Sequence, residues 1–141
     1  MRRIAICSVF VLLAGCGGPQ FDVSVHDLRK PPATVRARVK GGVLRVNVFS
    51  PSGIGSARLA LRSGQWPRKF VVWLRYAEGR PFKRLEDFAL EIEPPGGPRR
   101  LAPGRRVRVS DDDGTPGIEG DLPVGDEPSV LHLRWIDAFR R

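Results

Sequence analysis

The sequence predicts an all-β chain folded as a single-domain antiparallel β-sandwich. Three observations carry that expectation. Short runs that alternate apolar and polar residues recur along the chain, as in TVRARVK and VLRVNVF. Such alternation marks a strand with one buried face. Turn formers punctuate these runs densely, in KPP, GG, SPSGIG, SGQWP, EGRP, PPGGP, APG and DDDGTPG. No segment of helical length carries a 3.6-residue period, and only Phe82–Asp87 is compatible with a helical turn.

In order, the strands are read at Phe21–Leu28, Thr34–Lys40, Val43–Phe49, Ser56–Arg62, Lys69–Tyr76, Asp87–Glu93, Arg106–Ser110 and Ser129–Trp135. Their number and spacing suit a two-sheet sandwich of immunoglobulin-like outline, because a chain of this size needs both sheets to bury a core. No cysteine–tryptophan–cysteine signature is present, so a barrel stays open as the alternative. Gly41-Gly42 reads as a two-residue hairpin turn, since both positions need positive φ. That turn sets Lys40 opposite Val43, Val39 opposite Leu44, Arg38 opposite Arg45 and Arg36 opposite Asn47. Val35, Ala37, Val39, Leu44, Val46 and Val48 then share the core face. Lys69–Tyr76 is apolar on both faces and is expected to be central, with Trp73 in the core or under a loop.

Between two alternating runs lies SPSGIG, Ser50 to Gly55. A phosphate cradle would open onto a helix N-terminus, often with Lys-Ser or Lys-Thr following. Here SARLALR continues as a strand, so the stretch reads as a hairpin loop in which Pro51, Gly53 and Gly55 supply the turn.

The start of the chain is a different matter. Arg2 and Arg3 precede a short apolar run, Ile4 to Leu13, and then Leu13-Ala14-Gly15-Cys16. The run is short for a bilayer span and has the layout of a secretory signal. With its Leu-Ala-Gly-Cys lipobox the leader resembles bacterial lipoprotein precursors. The resemblance implies a signal peptide over residues 1–15, cleavage after Gly15, lipidation of Cys16, a tether over residues 16–20 and a domain over residues 21–141. It also implies a periplasm-facing, membrane-anchored protein, and Gly17 after the cysteine leans toward the outer membrane. Cys7 leaves with the leader, so the domain holds together without a disulfide.

Removing residues 1–15 takes two basic residues from 24, leaving 22 − 15 = +7. Positive charge points to anionic partners, though 20 Arg against four Lys also fits a GC-rich genome. If the SPSGIG hairpin continued the same sheet, Arg36, Arg38, Lys40, Arg45, Arg58 and Arg62 would cover one surface. Opposed like charges such as Arg38 and Arg45 cost about 0.2–1 kcal/mol unless an anion or a carboxylate offsets them. The anions within reach of an envelope protein are lipid headgroups, lipopolysaccharide phosphates and peptidoglycan carboxylates. Nucleic acid is not expected. The competing account is a solvated face whose Arg stems cover apolar surface.

Other constellations are weaker. Trp66 in GQWP either plugs the sandwich end or stacks on a ligand; Trp135 is in phase with Leu131 and Leu133 and reads as buried. DDDGTPGIEGD lacks the ligand spacing of a calcium loop and reads as a solvated turn. His26 and His132 stand alone without zinc spacing, and His132 points to solvent or the second face. No metal or other cofactor is expected, and no Ser, His and acid fall in a recognised nucleophile motif; a hydrolase built from His132, Asp137 and a serine is the weakest reading. SPSGIG, GQWP and LRWIDAFR together resemble a family of small uncharacterised bacterial proteins with those three motifs. That resemblance implies a joint role for Trp66, Trp135, Asp137 and Arg140, as a ligand site or a structural clasp. The reading is a binding or structural module for an anionic envelope component or an envelope protein, not an enzyme. The alternative is a glycan-binding or glycan-directed protein working at the SPSGIG and Trp66 end.

Overall fold

The computed structural model describes residues 19–26, 32–102, 104–107, 117–122 and 129–138. Within them the regular elements are ten strands: β1 (Gln20–His26), β2 (Thr34–Lys40), β3 (Val43–Phe49), β4 (Ile54–Ser63), β5 (Lys69–Arg75), β6 (Leu85–Glu93), β7 (Arg100–Leu101), β8 (Gly104–Val107), β9 (Gly117–Asp121) and β10 (Val130–Asp137). They form two five-stranded sheets, in the orders β2-β3-β5-β9-β8 and β1-β4-β10-β6-β7. Neither sheet closes on itself, so the architecture is a sandwich and not a barrel.

Period-two patterning explains the layers. Leu44, Val46 and Val48 of β3 and Phe70, Val72 and Leu74 of β5 line the inner face of the first sheet. Ala57 and Leu59 of β4, Leu90 and Ile92 of β6, and Leu131, Leu133 and Trp135 of β10 line the second. The two inner faces merge into one core. Central position explains β5, whose residues from Phe70 onward are buried on both faces. Trp73 is not in that shared core. It lies on the outer face, with the Arg45 guanidinium 5.0 Å from its ring centre.

The Gly41-Gly42 turn is as read: φ is 63° and 75°, and all four expected pairings of β2 with β3 are present. Three expectations need correction. SPSGIG is not a hairpin loop, because β3 and β4 lie in different sheets and the stretch carries the chain across the sandwich. The reason is visible at its far side, where β5 returns to run parallel to β3 and takes the neighbouring place. The sandwich is therefore not wholly antiparallel. Residues 82–87 form no helical turn; β6 begins at Leu85. Strands β7 and β9 were not read from the sequence, and Gly117–Asp121 is a strand within DDDGTPGIEGD. The expected strand ends Leu28 and Arg108 to Ser110, and Asp111 to Asp113, lie outside the described residues.

Candidate functional site

Three places concentrate polar chemistry, and they sit on different parts of the sandwich. The first is the hairpin β2–β3. Arg36, Arg38 and Lys40 are exposed on β2, an edge strand, and Arg45 is half-buried on β3 against Trp73. Arg38 directly opposes Arg45, as expected. Among the described residues no carboxylate pairs with any of these four side chains. Arg58 and Arg62 do not join them. Both belong to β4 in the other sheet, where Arg58 opposes Ser24 and His132, and Arg62 bonds Asp22 at 3.2 Å. Only a turn within one sheet at SPSGIG would bring them to the hairpin face, and the crossover there carries them to the other sheet.

The second place is a buried clasp at one end of the sandwich, built by SPSGIG and the end of β10. Trp135 Nε1 donates to Ser50 Oγ at 3.0 Å, and Ser50 N donates to Arg75 O at 2.8 Å. The indole lies against Gly55, where an added Cβ would come within 2.7 Å of Trp135 Cζ2. Asp137 is fully buried and accepts three hydrogen bonds, from the Tyr76 hydroxyl, from Arg84 N at 2.7 Å and from Lys83 N at 3.3 Å. Its own N–H donates to Gly53 O at 2.8 Å. The Asp137 oxygens, the Ser50 hydroxyl and the Trp135 indole N–H are thus all engaged within the protein, as a structural clasp requires. Arg140 lies outside the described residues.

Trp66 belongs to the opposite end. Its Nε1 donates to Ser129 O at 2.9 Å and its ring packs against Phe21, with centroids 5.1 Å apart. Ser129 and Trp135 are six residues apart on an extended chain, a span of about 20 Å at about 3.3 Å per residue. Trp66 and Asp137 therefore share no cleft. Trp66 plugs the sandwich end, one of the two roles its loop position allowed.

The third place was missed by the sequence reading. On the outer face of the second sheet a groove of about 500 Å³ has polar lining from His26 of β1, Ser56 and Arg58 of β4, Glu91 and Glu93 of β6, Arg99, and His132 and Arg134 of β10. His132 Nε2 lies 2.7 Å from Glu93 Oε1. That hydrogen bond, opposed by partial desolvation and aided by the charges of His132, Arg99 and Arg58, holds the Glu93 carboxyl below its ordinary range. Arg99 lies 3.7 Å from both Glu91 and Glu93, and Arg134 bonds Asp87 at 3.0 Å. The two histidines stand on one sheet face, yet among the described residues no cluster of three His, Cys, Asp or Glu side chains suits a metal. His132 cannot work with Asp137, which faces the core on the other side of β10.

No family model, curated protein or solved structure matches this chain. The sandwich assignment accordingly rests on its own sheets.

Proposed function

We propose that this protein is a lipid-tethered cell-envelope module whose β2–β3 hairpin rests on anionic headgroups of the membrane that holds it. One observation carries the reading: Arg36, Arg38, Lys40 and Arg45 share a face without a carboxylate partner among the described residues. On the second sheet most cations have an acidic partner, as in Arg62–Asp22 and Arg134–Asp87. The first group would need its counter-charge from elsewhere. Guanidinium forks suit phosphate better than ammonium does, through paired N–H bonds.

Placement supports the same reading. The described chain begins at Pro19, which packs against Gly64, and Gln20 pairs with Ser63. Residues 64–68 link Ser63 to Lys69, and Lys69 stands opposite Val43, beside the Gly41-Gly42 turn. The tip of the basic hairpin and the point where a lipid on Cys16 would tether the domain are thus at one end. Two or more acyl chains hold firmly, at about 0.8 kcal/mol per buried CH₂. Each basic side chain near an anionic surface adds about 1 kcal/mol at physiological ionic strength. Arg58 and Arg62 are not part of this surface. The chain is read as a binding module, not an enzyme.

The test uses the acylated protein reconstituted into vesicles. Hydrogen–deuterium exchange over Thr34–Phe49 should slow in vesicles holding anionic phospholipid, relative to zwitterionic ones, and recover in high salt. Arg38→Gln with Arg45→Gln should abolish the difference. Equal exchange in both vesicle types overturns the hairpin's role. A Cys16→Ser protein that fractionates like the wild type overturns the tether.

A further inference from the structure

The groove on the outer face of the second sheet lies on the opposite sheet from the basic hairpin and does not depend on the reading above. Its chemistry is of a different kind. Arg99 bridges Glu91 and Glu93, Arg134 bonds Asp87 and stands 3.8 Å from Glu91, and His132 bonds Glu93. These contacts brace the long side chains into walls and leave carboxylate lone pairs for further donors. Arg58 differs from the other two arginines. It is exposed at the groove, and among the described residues it has neither an ion pair nor a hydrogen bond.

The floor is equally telling. Ser56 and Arg58 alternate with Ala57 and Leu59, whose side chains face the core, and Leu133 likewise turns inward from β10. Among the described residues no aromatic ring other than imidazole lines the groove. Ala57 and Leu133 are its only apolar lining residues among those described, so an apolar ligand has little to rest on there. The available partners are the Arg58 guanidinium, which has no ion pair among the described residues, two braced carboxylates, imidazoles and a hydroxyl. At about 500 Å³ the space lies within the usual range for small-molecule sites, about 300–1,000 Å³.

From this we infer that the groove binds an acidic saccharide unit, with its anionic group on Arg58 and its hydroxyls on Glu91, Glu93, His132 and Ser56. A hydroxyl donates to a braced carboxylate and accepts from Arg99 or imidazole, so a polyhydroxylated ring satisfies both signs of the lattice. The single negative group answers Arg58, the lining guanidinium that makes no ion pair or hydrogen bond among the described residues. A sugar phosphate and a uronic acid share that chemistry, and the experiment separates them.

The full chain in detergent is titrated with glucose 6-phosphate, glucuronate, glucose and inorganic phosphate, following the His132 imidazole by NMR and the heat by calorimetry. Saturable binding of one or both acidic sugars, with glucose and phosphate each at least tenfold weaker, is the expected result. Which acidic sugar binds identifies the anionic group as phosphate or carboxylate. Arg58→Gln should weaken binding tenfold or more. Arg58 is exposed and makes no contact that the fold needs, so this variant keeps the wild-type amide spectrum elsewhere. Lys69→Gln, exposed on the other sheet beside Asp121, should bind like the wild type. Absence of binding by both acidic sugars at millimolar concentration overturns the inference. So does wild-type affinity in Arg58→Gln, or inorganic phosphate binding as tightly as the sugars, which would make the groove an ion site only.

Discussion

The indole N–H of Trp135 donates to Ser50 Oγ at 3.0 Å across 85 residues of sequence, joining the crossover between the sheets to the last described strand. Gly55 makes this contact possible, because it stands opposite Trp135 in the ladder and carries no side chain toward it. Gly55→Ala would put a methyl group 2.7 Å from Trp135 Cζ2. Overpacking of that kind costs about 1–3 kcal/mol. Gly42→Ala provides the contrast, since it meets no atom within 4 Å but holds φ at 75°. It should cost about 1–2 kcal/mol, from backbone conformation alone. Urea unfolding checks both, and near-ultraviolet circular dichroism should change only for Gly55→Ala, because only there does an indole move.

Asp137 is the second point of the clasp. Tyr76→Phe deletes one hydrogen bond to a buried carboxylate, and bonds to charged groups contribute about 1.5–3 kcal/mol. Asp137→Ala removes the shared acceptor of the Tyr76 hydroxyl, Lys83 N and Arg84 N together. It should therefore destabilise the domain more than Tyr76→Phe does. In the double variant the Tyr76 contribution should vanish, because its acceptor is already gone. Additive losses in a double-mutant cycle would contradict the clasp.

These two residues also show where sequence was informative. The two-residue turn at Gly41-Gly42 fixed its own register, so the Arg38–Arg45 opposition was legible from local chemistry alone. In-phase placement with Leu131 and Leu133 was enough to bury Trp135. Partner choice between sheets was not legible. Pro and Gly serve a hairpin and a sheet-to-sheet crossover equally well, and only the parallel pairing of β3 with β5 distinguishes them. That one ambiguity misplaced Arg58 and Arg62. The groove was hidden for the same reason, since Glu93 and His132 are 39 residues apart and meet only once β6 lies beside β10. Out-of-phase His132 and Arg134 were the available signal, and it needed a partner strand to acquire meaning.

The Glu93–His132 pair makes a pH prediction. Its hydrogen bond to His132 is the main cause that lowers the Glu93 pKa in the folded state. A depressed folded-state pKa contributes stability that is full above the ordinary glutamate value. That contribution is lost as pH falls through the lowered one. Carboxyl NMR of Glu93 should therefore give a midpoint below that of an unstructured glutamate. His132→Gln should raise the midpoint toward the ordinary value. An unchanged midpoint in that variant would mean Arg99 and Arg58 carry the shift instead.

Arg45 has two neighbours that pull its role in different directions, Arg38 opposite it and the Trp73 ring beneath it. Trp73 is 1% exposed and its Nε1 has no hydrogen-bond partner among the described residues, whereas Trp66 and Trp135 both donate theirs. Arg45 thus acts as a lid on the one tryptophan outside the shared core. Cation–π contact contributes about 0.5–1 kcal/mol at exposed sites and about 2 when desolvated. Arg45→Ala should lower stability by about 1–2 kcal/mol on that basis. It should also increase acrylamide quenching of tryptophan fluorescence, by uncovering Trp73 alone. Arg45→Met keeps a long apolar stem over the ring and removes the charge. It should retain the low quenching while weakening the hairpin's response to anionic vesicles, which separates the lid from the charge.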